Sequence, residues 1–169
     1  CQENLMTENG DSISVGNRNI LFKKSLNKID LLISPSRYLA DRFIDRGIGC
    51  AKTKVINNGI DVTRFSGIKK TRSKKIRFGY IGQIIGHKGI ENLLKAVSLM
   101  DSKAKNKMSL LIVGSGEQVY INYCKALVSH LGLKETVHFY GNVDNKKICN
   151  IYKNIDMLIV PSIWPENSP

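Results

Sequence analysis

Cysteine, aromatic residues and long apolar runs are all scarce in this chain, and each scarcity removes a class of protein. The four cysteines, Cys1, Cys50, Cys124 and Cys149, are scattered, with no CxxC pair and no Cys/His cluster. That pattern is neither a zinc site nor a disulfide framework, and it fits a reducing, cytoplasmic compartment. No stretch approaches the ~18 consecutive apolar residues that a spanning helix needs. The opening residues lack a basic segment followed by an apolar run, so no signal peptide is read there, and the missing initial Met points to a natural start elsewhere. Acidic residues are few, 14 against 26 basic, for a net charge of +12. Aromatics make up 7% of the chain and none interrupts its densest basic run, which argues against a specific nucleic-acid reader.

What remains is ordinary globular material. Of the 169 residues 42% are apolar and 24% charged, enough for one lobe and part of another. Part of the excess charge is concentrated in Lys69, Lys70, Arg72, Lys74, Lys75 and Arg77. Such a field attracts polyanions, and an anionic membrane leaflet suits it better than nucleic acid; a solvated interdomain linker is the plainer alternative.

Residues 1–17 are polar and read as a loop or frayed end. A short amphipathic helix is expected over 19–26, a buried strand over 29–34, a helix over 37–46 and a strand running into a turn over 54–59. After the basic run the pattern becomes regular. Strands are expected at 75–81, 109–113, 136–140 and 157–161, with helices at 89–100, 117–131 and 146–154 between them. Apolar strands alternating with helices predict a Rossmann-like parallel sheet covered on both faces. The helix that should follow the last strand is not in the sequence, which reads as truncation.

Open parallel sheets bind ligands at the carboxyl ends of their strands, so the loops there carry the functional expectations. In the first, residues 82–89, Gly82, Gly86 and Gly89 would let the backbone approach a ligand, and Lys88 adds a cation beside a helix start. His87 could assist a phosphate when protonated. The second, 113–117, holds Gly114 and Gly116 around Ser115, a pattern that a short strand-to-helix turn also requires. The third, 161–169, sets Glu166 in a stiff loop between prolines beside Trp164, and a carboxylate with backbone amides suits a polyhydroxylated ligand. Trp164 packing on the core is the alternative for that loop. His130 reads as a surface residue and His138 as structural.

Taken in order, these pieces resemble the retaining glycosyltransferases of family 4, which have the two-lobed GT-B fold. The resemblance runs from residues 34–36 through 57–61 with Phe65, then 80–89, 112–116, 137–141 and 155–169. It implies that residues 1–65 end the N-terminal acceptor lobe and cross to the next. Residues 66–169 would then be an incomplete C-terminal nucleotide-sugar-binding domain. Lys88 would neutralise the donor diphosphate, beside Gly82, Gln83, His87 and Gly89. Gly114, Gly116, Tyr140, Gly141 and Asn142 would border the nucleoside. Glu166 would contact the transferred sugar, with the amides of Asn167 and Ser168 nearby.

The implied reaction moves a hexosyl-type unit from a nucleotide diphosphate sugar to a hydroxyl with retention, in glycan, polysaccharide or glycolipid synthesis. No metal or other cofactor is implied. The nucleotide sugar and an anionic membrane surface are the expected partners, at the inner face of the membrane. Two departures stand out. Gln83 replaces the Arg that many members carry after the glycine, and the second Glu of the family's Glu-x7-Glu pattern would fall beyond Pro169, so the chain alone is expected to be inactive. A related GT-B epimerase or phosphorylase-like enzyme, a lobe that binds nucleotide without turnover, and a basic polyanion- or membrane-binding module are the competing readings.

Overall fold

The computed structural model describes residues 4–6, 12–49 and 52–164. It divides into two compact units, with the boundary between Ile60 and Asp61.

In the first unit β1 (Asn4–Met6) and β2 (Ser12–Ser14) pair antiparallel, and α1 (Val15–Leu26) follows directly. This corrects the expectation of an unstructured start: Ser14 accepts a hydrogen bond from the Asn17 amide at 3.2 Å, capping the helix four residues before the expected Asn19. Two short parallel strands, β3 (Leu32–Ser34) and β4 (Thr53–Val55), flank α2 (Arg37–Ile44), whose Ser36 cap takes the Leu39 amide at 3.2 Å.

The second unit holds β5 (Ile76–Ile81), β6 (Met108–Val113), β7 (Val137–Gly141) and β8 (Met157–Leu158) in one parallel sheet of order β7-β6-β5-β8. The helices are α3 (Ile90–Ser98), α4 (Ser102–Asn106), α5 (Gln118–His130) and α6 (Ile148–Tyr152). The expected parallel α/β architecture is therefore present. The α4 turn went unforeseen, although Asp101 caps it by accepting from the Ala104 amide at 2.7 Å.

Strand alternation sorts the core into two layers. Phe78 and Tyr80 of β5, Leu110 and Ile112 of β6, and Val137 of β7 face α3 and α5, where Ile90, Leu94 and Cys124 are fully buried. Ile81, Leu111 and Val113 face the other way, onto Ile148, Ile151 and Ile155 of α6 and the turn after it. Gly79 sits on that second face because a Cβ there would lie 2.3 Å from Ile155 Cδ1. β8 is pinned by Asp156, which accepts from the Arg77 amide and Nε at 2.8 and 3.1 Å and from Arg77 Nη2 at 2.8 Å. That guanidinium holds the Asp156 carboxyl down at about 2.

Candidate functional site

The order 7-6-5-8 has its reversal between β5 and β8: α3 and α5 carry the chain from β5 through β6 to β7 on one face, and α6 carries it back to β8 on the other. Ligands of open parallel sheets sit beyond such a point, at the carboxyl ends of the strands. A cleft of about 430 Å³ lies in the second unit at the carboxyl ends of β5, β6 and β7, on the α6 face beside that point, inside the ~300–1,000 Å³ range of small-molecule sites. It brings together Gly82 and Gln83 after β5, Gly114 and Ser115 after β6, and Asn142 after β7. A larger cleft of about 600 Å³ in the first unit is framed by the flanks of α1 and α2. It contains none of the expected site residues, and no strand ends there.

The loops over the sheet edge are laced together. The Gly82 amide donates to Val113 O at 3.0 Å, Ile84 to Ser115 O at 2.8 Å, and Gly114 to Gly141 O at 2.9 Å. These three N–H groups are thus spent on the scaffold. The lacing also accounts for the glycines. Gly114 has φ +144° and a Cβ there would stand 1.8 Å from Gly82 O; at Gly116 it would stand 2.0 Å from Ile84 O. Close approach of one loop to the next demands glycine at both positions before any ligand is considered. The Tyr80 hydroxyl, from within the core, fixes the same turn by donating to Gln83 O at 2.6 Å.

Helix starts supply donors instead. α1, α2 and α4 are capped by the side chains of Ser14, Ser36 and Asp101, but α3 and α5, which follow β5 and β6, have no side-chain cap. Their first-turn N–H groups and positive dipole ends are suited to an anion. Lys88 closes the turn Gly86–Lys88 immediately before α3, half-buried, and Gly89 follows in the left-handed conformation with φ +73°. A Cβ on Gly89 would stand 2.1 Å from Pro161 O, so this turn is pressed against the end of the β8 segment. His87 is exposed; its carbonyl accepts from the Ile163 amide at 3.1 Å and its ring lies 6.2 Å from Trp164.

Not every expected residue lines the cleft. His87, Lys88, Gly89, Gly116, Tyr140 and Gly141 lie outside its wall, Tyr140 with its ring largely exposed. Trp164 is 64% exposed and so is not core packing. Glu166, Asn167 and Ser168 lie outside the described residues. Among the described residues no three His, Cys, Asp or Glu side chains converge on a metal-sized point.

The cleft has a wall that sequence reasoning missed as such. Phe65 and Tyr152 meet edge to face with centroids 5.5 Å apart, and both line it with Asn145 and Ile148. Arg64 fastens this wall by donating to Asn145 O at 2.5 Å, and Cys149 Sγ reaches Arg64 O at 3.1 Å. The partners are some 80 residues apart in sequence, so only the Phe65 of the crossing segment gave any signal. The arrangement offers an aromatic and amide-bearing wall on one side and uncapped helix starts with a lysine on the other, which suits a ligand that is part ring and part anion.

Comparison with known proteins agrees with this layout. Two uncharacterized glycosyltransferases of Methanocaldococcus jannaschii are 27% and 30% identical, over 83% and 67% of this chain and 36% and 31% of their own lengths. The chain thus spans about a third of the curated relatives it matches. The Anabaena protein HepE, solved with UDP, superposes with a TM-score of 0.75 at 20% identity, covering 96% of this chain and 46% of HepE, and further HepE crystals contain UDP with glucose or UDP-glucose. Residues 61–169 match the family described as glycosyl transferases group 1. With nearly two thirds of its length inside that match, and a sheet whose solved counterparts are GT-B glycosyltransferases, the chain belongs to the group 1 glycosyl transferases.

Proposed function

We propose that residues 61–169 form the donor side of a retaining, family 4-type hexosyltransferase, and that residues 1–60 end its acceptor lobe. The whole protein would transfer a sugar from a nucleotide diphosphate sugar to a hydroxyl of a growing glycan, polysaccharide or glycolipid. The observation that carries this reading is the pairing, at one sheet edge, of an aromatic-walled cleft with two uncapped helix starts and Lys88. The nucleoside would occupy the cleft against Phe65 and Tyr152, with Asn142 and Asn145 offering amide groups to its base or ribose. The diphosphate would extend toward the start of α3.

Breaking the bond between sugar and diphosphate leaves charge on the departing oxygens. Fixed N–H dipoles and the Lys88 ammonium stabilise that charge as it develops, which lowers the barrier. Gln83, in place of an arginine, can donate a neutral hydrogen bond but no charge, so Lys88 carries the larger share. Glu166 would orient the sugar hydroxyls. No metal is required by this scheme, and the UDP complexes of HepE favour a uridine donor. The reading places the protein in the cytoplasm against the inner membrane face, with an anionic lipid surface as its second partner. No helix among the described residues is long and apolar enough to cross a membrane.

Calorimetric titration with UDP, GDP, ADP and their sugar conjugates tests the proposal. Saturable binding of one nucleotide is expected, weakened about ten-fold or more in Lys88→Ala, the usual loss for a hydrogen bond to a charged group. A folded chain that binds none of the nucleotides, or binds them equally well without Lys88, contradicts it.

A further inference from the structure

The charge of this protein is not where its anionic substrate would sit. Around the carboxyl edge of the sheet the described basic residues Arg64, Lys88, Lys146 and Lys147 are nearly matched by Asp61, Glu117 and Asp144. The excess lies at the opposite, amino edge. There the segment 69–75 leads into β5, α4 and Lys107 lead into β6, and the turn with Lys134 leads into β7. The geometry is tight. Ile76 N donates to Lys107 O at 2.9 Å and Leu110 N to Thr136 O at 2.7 Å, so the three approaches stand side by side at strand spacing, ~5 Å apart.

Some of these cations are structural. Arg77 pairs with Asp156, Lys70 donates to the carbonyls of Ile155 and Asp156 at 2.5 and 3.1 Å, and Lys105 to Ser98 O at 2.9 Å. Lys69, Arg72, Lys74 and Lys75 on one approach, with Lys103, Lys107 and Lys134 on the others, are all exposed. Among the described residues of this edge, Asp156 is taken up by Arg77, which leaves Asp101, engaged in capping α4, and Glu135 against them.

The same edge carries exposed apolar side chains. α3 runs back from the carboxyl edge and ends here, delivering Leu99 at 87% exposure with Met100 beside it; Ile76 is 53% exposed at the foot of β5. Lysines on the same edge as a protruding leucine, with no exposed aromatic side chain among the described residues of that edge, match the interface of a bilayer rather than a nucleic acid. At such an interface ammonium groups would meet lipid headgroups while their stems and a protruding leucine would reach the acyl boundary.

We infer that the amino edge of this sheet, from the 69–75 segment across Lys107 to Lys134, together with Leu99 at the end of α3, docks on an anionic lipid bilayer. The inference rests on the proposed function for the membrane's place in the reaction, and not for the binding itself. Docking by this edge leaves the strand-end cleft on the far side of the sheet, open to nucleotide sugar from the cytoplasm.

Sedimentation of the full chain with vesicles tests it, using phosphatidylcholine alone or equimolar with phosphatidylglycerol. Binding is expected only to the anionic vesicles, and to weaken as salt rises. The triple variant Lys75→Gln, Lys107→Gln, Lys134→Gln should lose about a hundred-fold in partitioning, at about five-fold per lysine. Leu99→Ser should lose about ten-fold. UDP affinity should be unchanged in both, which separates failure here from failure of the donor reading. Retention unaffected by either variant, or abolished only by Ile20→Ser with Phe22→Ser in α1, overturns the assignment. So does binding to soluble heparin that depends on the lysines but not on Leu99, which would make this a polyanion surface instead.

Discussion

Gly114 shows how a single residue type can serve the scaffold and the site together. Its φ of +144° is one that L side chains rarely adopt, and its missing Cβ leaves room for Gly82 O. Gly141 also has a positive φ, +90°, but opens onto empty space. Gly141→Ala should therefore cost only its backbone strain, about 1–2 kcal/mol. Gly114→Ala adds a collision with a backbone carbonyl that cannot swing away, and should cost at least about 2 kcal/mol more. Urea denaturation of the two variants measures the difference; equal costs would show that the loops are not laced as described. The glycines themselves were legible in the sequence, as turn residues between strands and helices. Their reason was not, because the atoms that exclude a side chain belong to a neighbouring loop some 30 residues away. Tyr80 was hidden for the same cause: it reads as a core aromatic, and only the fold brings its hydroxyl to Gln83 O.

Among the elements, those that bury a continuous apolar face were plain from sequence. β5, β6, β7 and the helices α3 and α5 lie within a residue or two of their expected bounds, since apolar side chains recur there with the strand or helix period. The polar pair β1 and β2 gave no such signal, and α4 is held by its Asp101 cap rather than by an apolar stripe. β8 is a third case. It is shorter than expected, two residues, and Met157 and Leu158 are both substantially exposed, so packing contributes little to its position. The Arg77–Asp156 pair holds it instead. Because the folded Asp156 titrates at about 2, below the ordinary carboxylate value of 3.8, its contribution is complete above that ordinary value. It fades as pH falls toward 2. Asp156→Asn should lower the thermal midpoint at neutral pH, and the gap to wild type should close between about pH 4 and pH 2. A gap that stays constant across that range would mean the carboxylate charge is not what secures β8.

For the whole molecule, the two edges of one sheet divide the labour. The carboxyl edge combines near-neutral charge, laced loops and an aromatic-walled cleft, while the amino edge carries most of the excess positive charge of the second unit. Net charge read from the sequence could announce an anionic partner but not locate it, because charges far apart in sequence converge only where strands align. The basic run at 69–77 was the visible larger part of a surface whose remainder, at Lys103, Lys107 and Lys134, is set by sheet register. The Phe65–Tyr152 wall escaped notice for the corresponding reason at the other edge.

The central claim is that a nucleotide enters the cleft at the carboxyl edge. Amide chemical-shift mapping by NMR during titration with UDP addresses it directly. The account predicts saturable shifts at Gly82–Gln83, at Gly114–Ser115 and from Asn142 to Asn145, with Lys88 and the first turn of α3 following the diphosphate. Shifts confined to the α1–α2 cleft of the first unit or to the lysines of the amino edge, or no shifts at all in a folded chain, would contradict it.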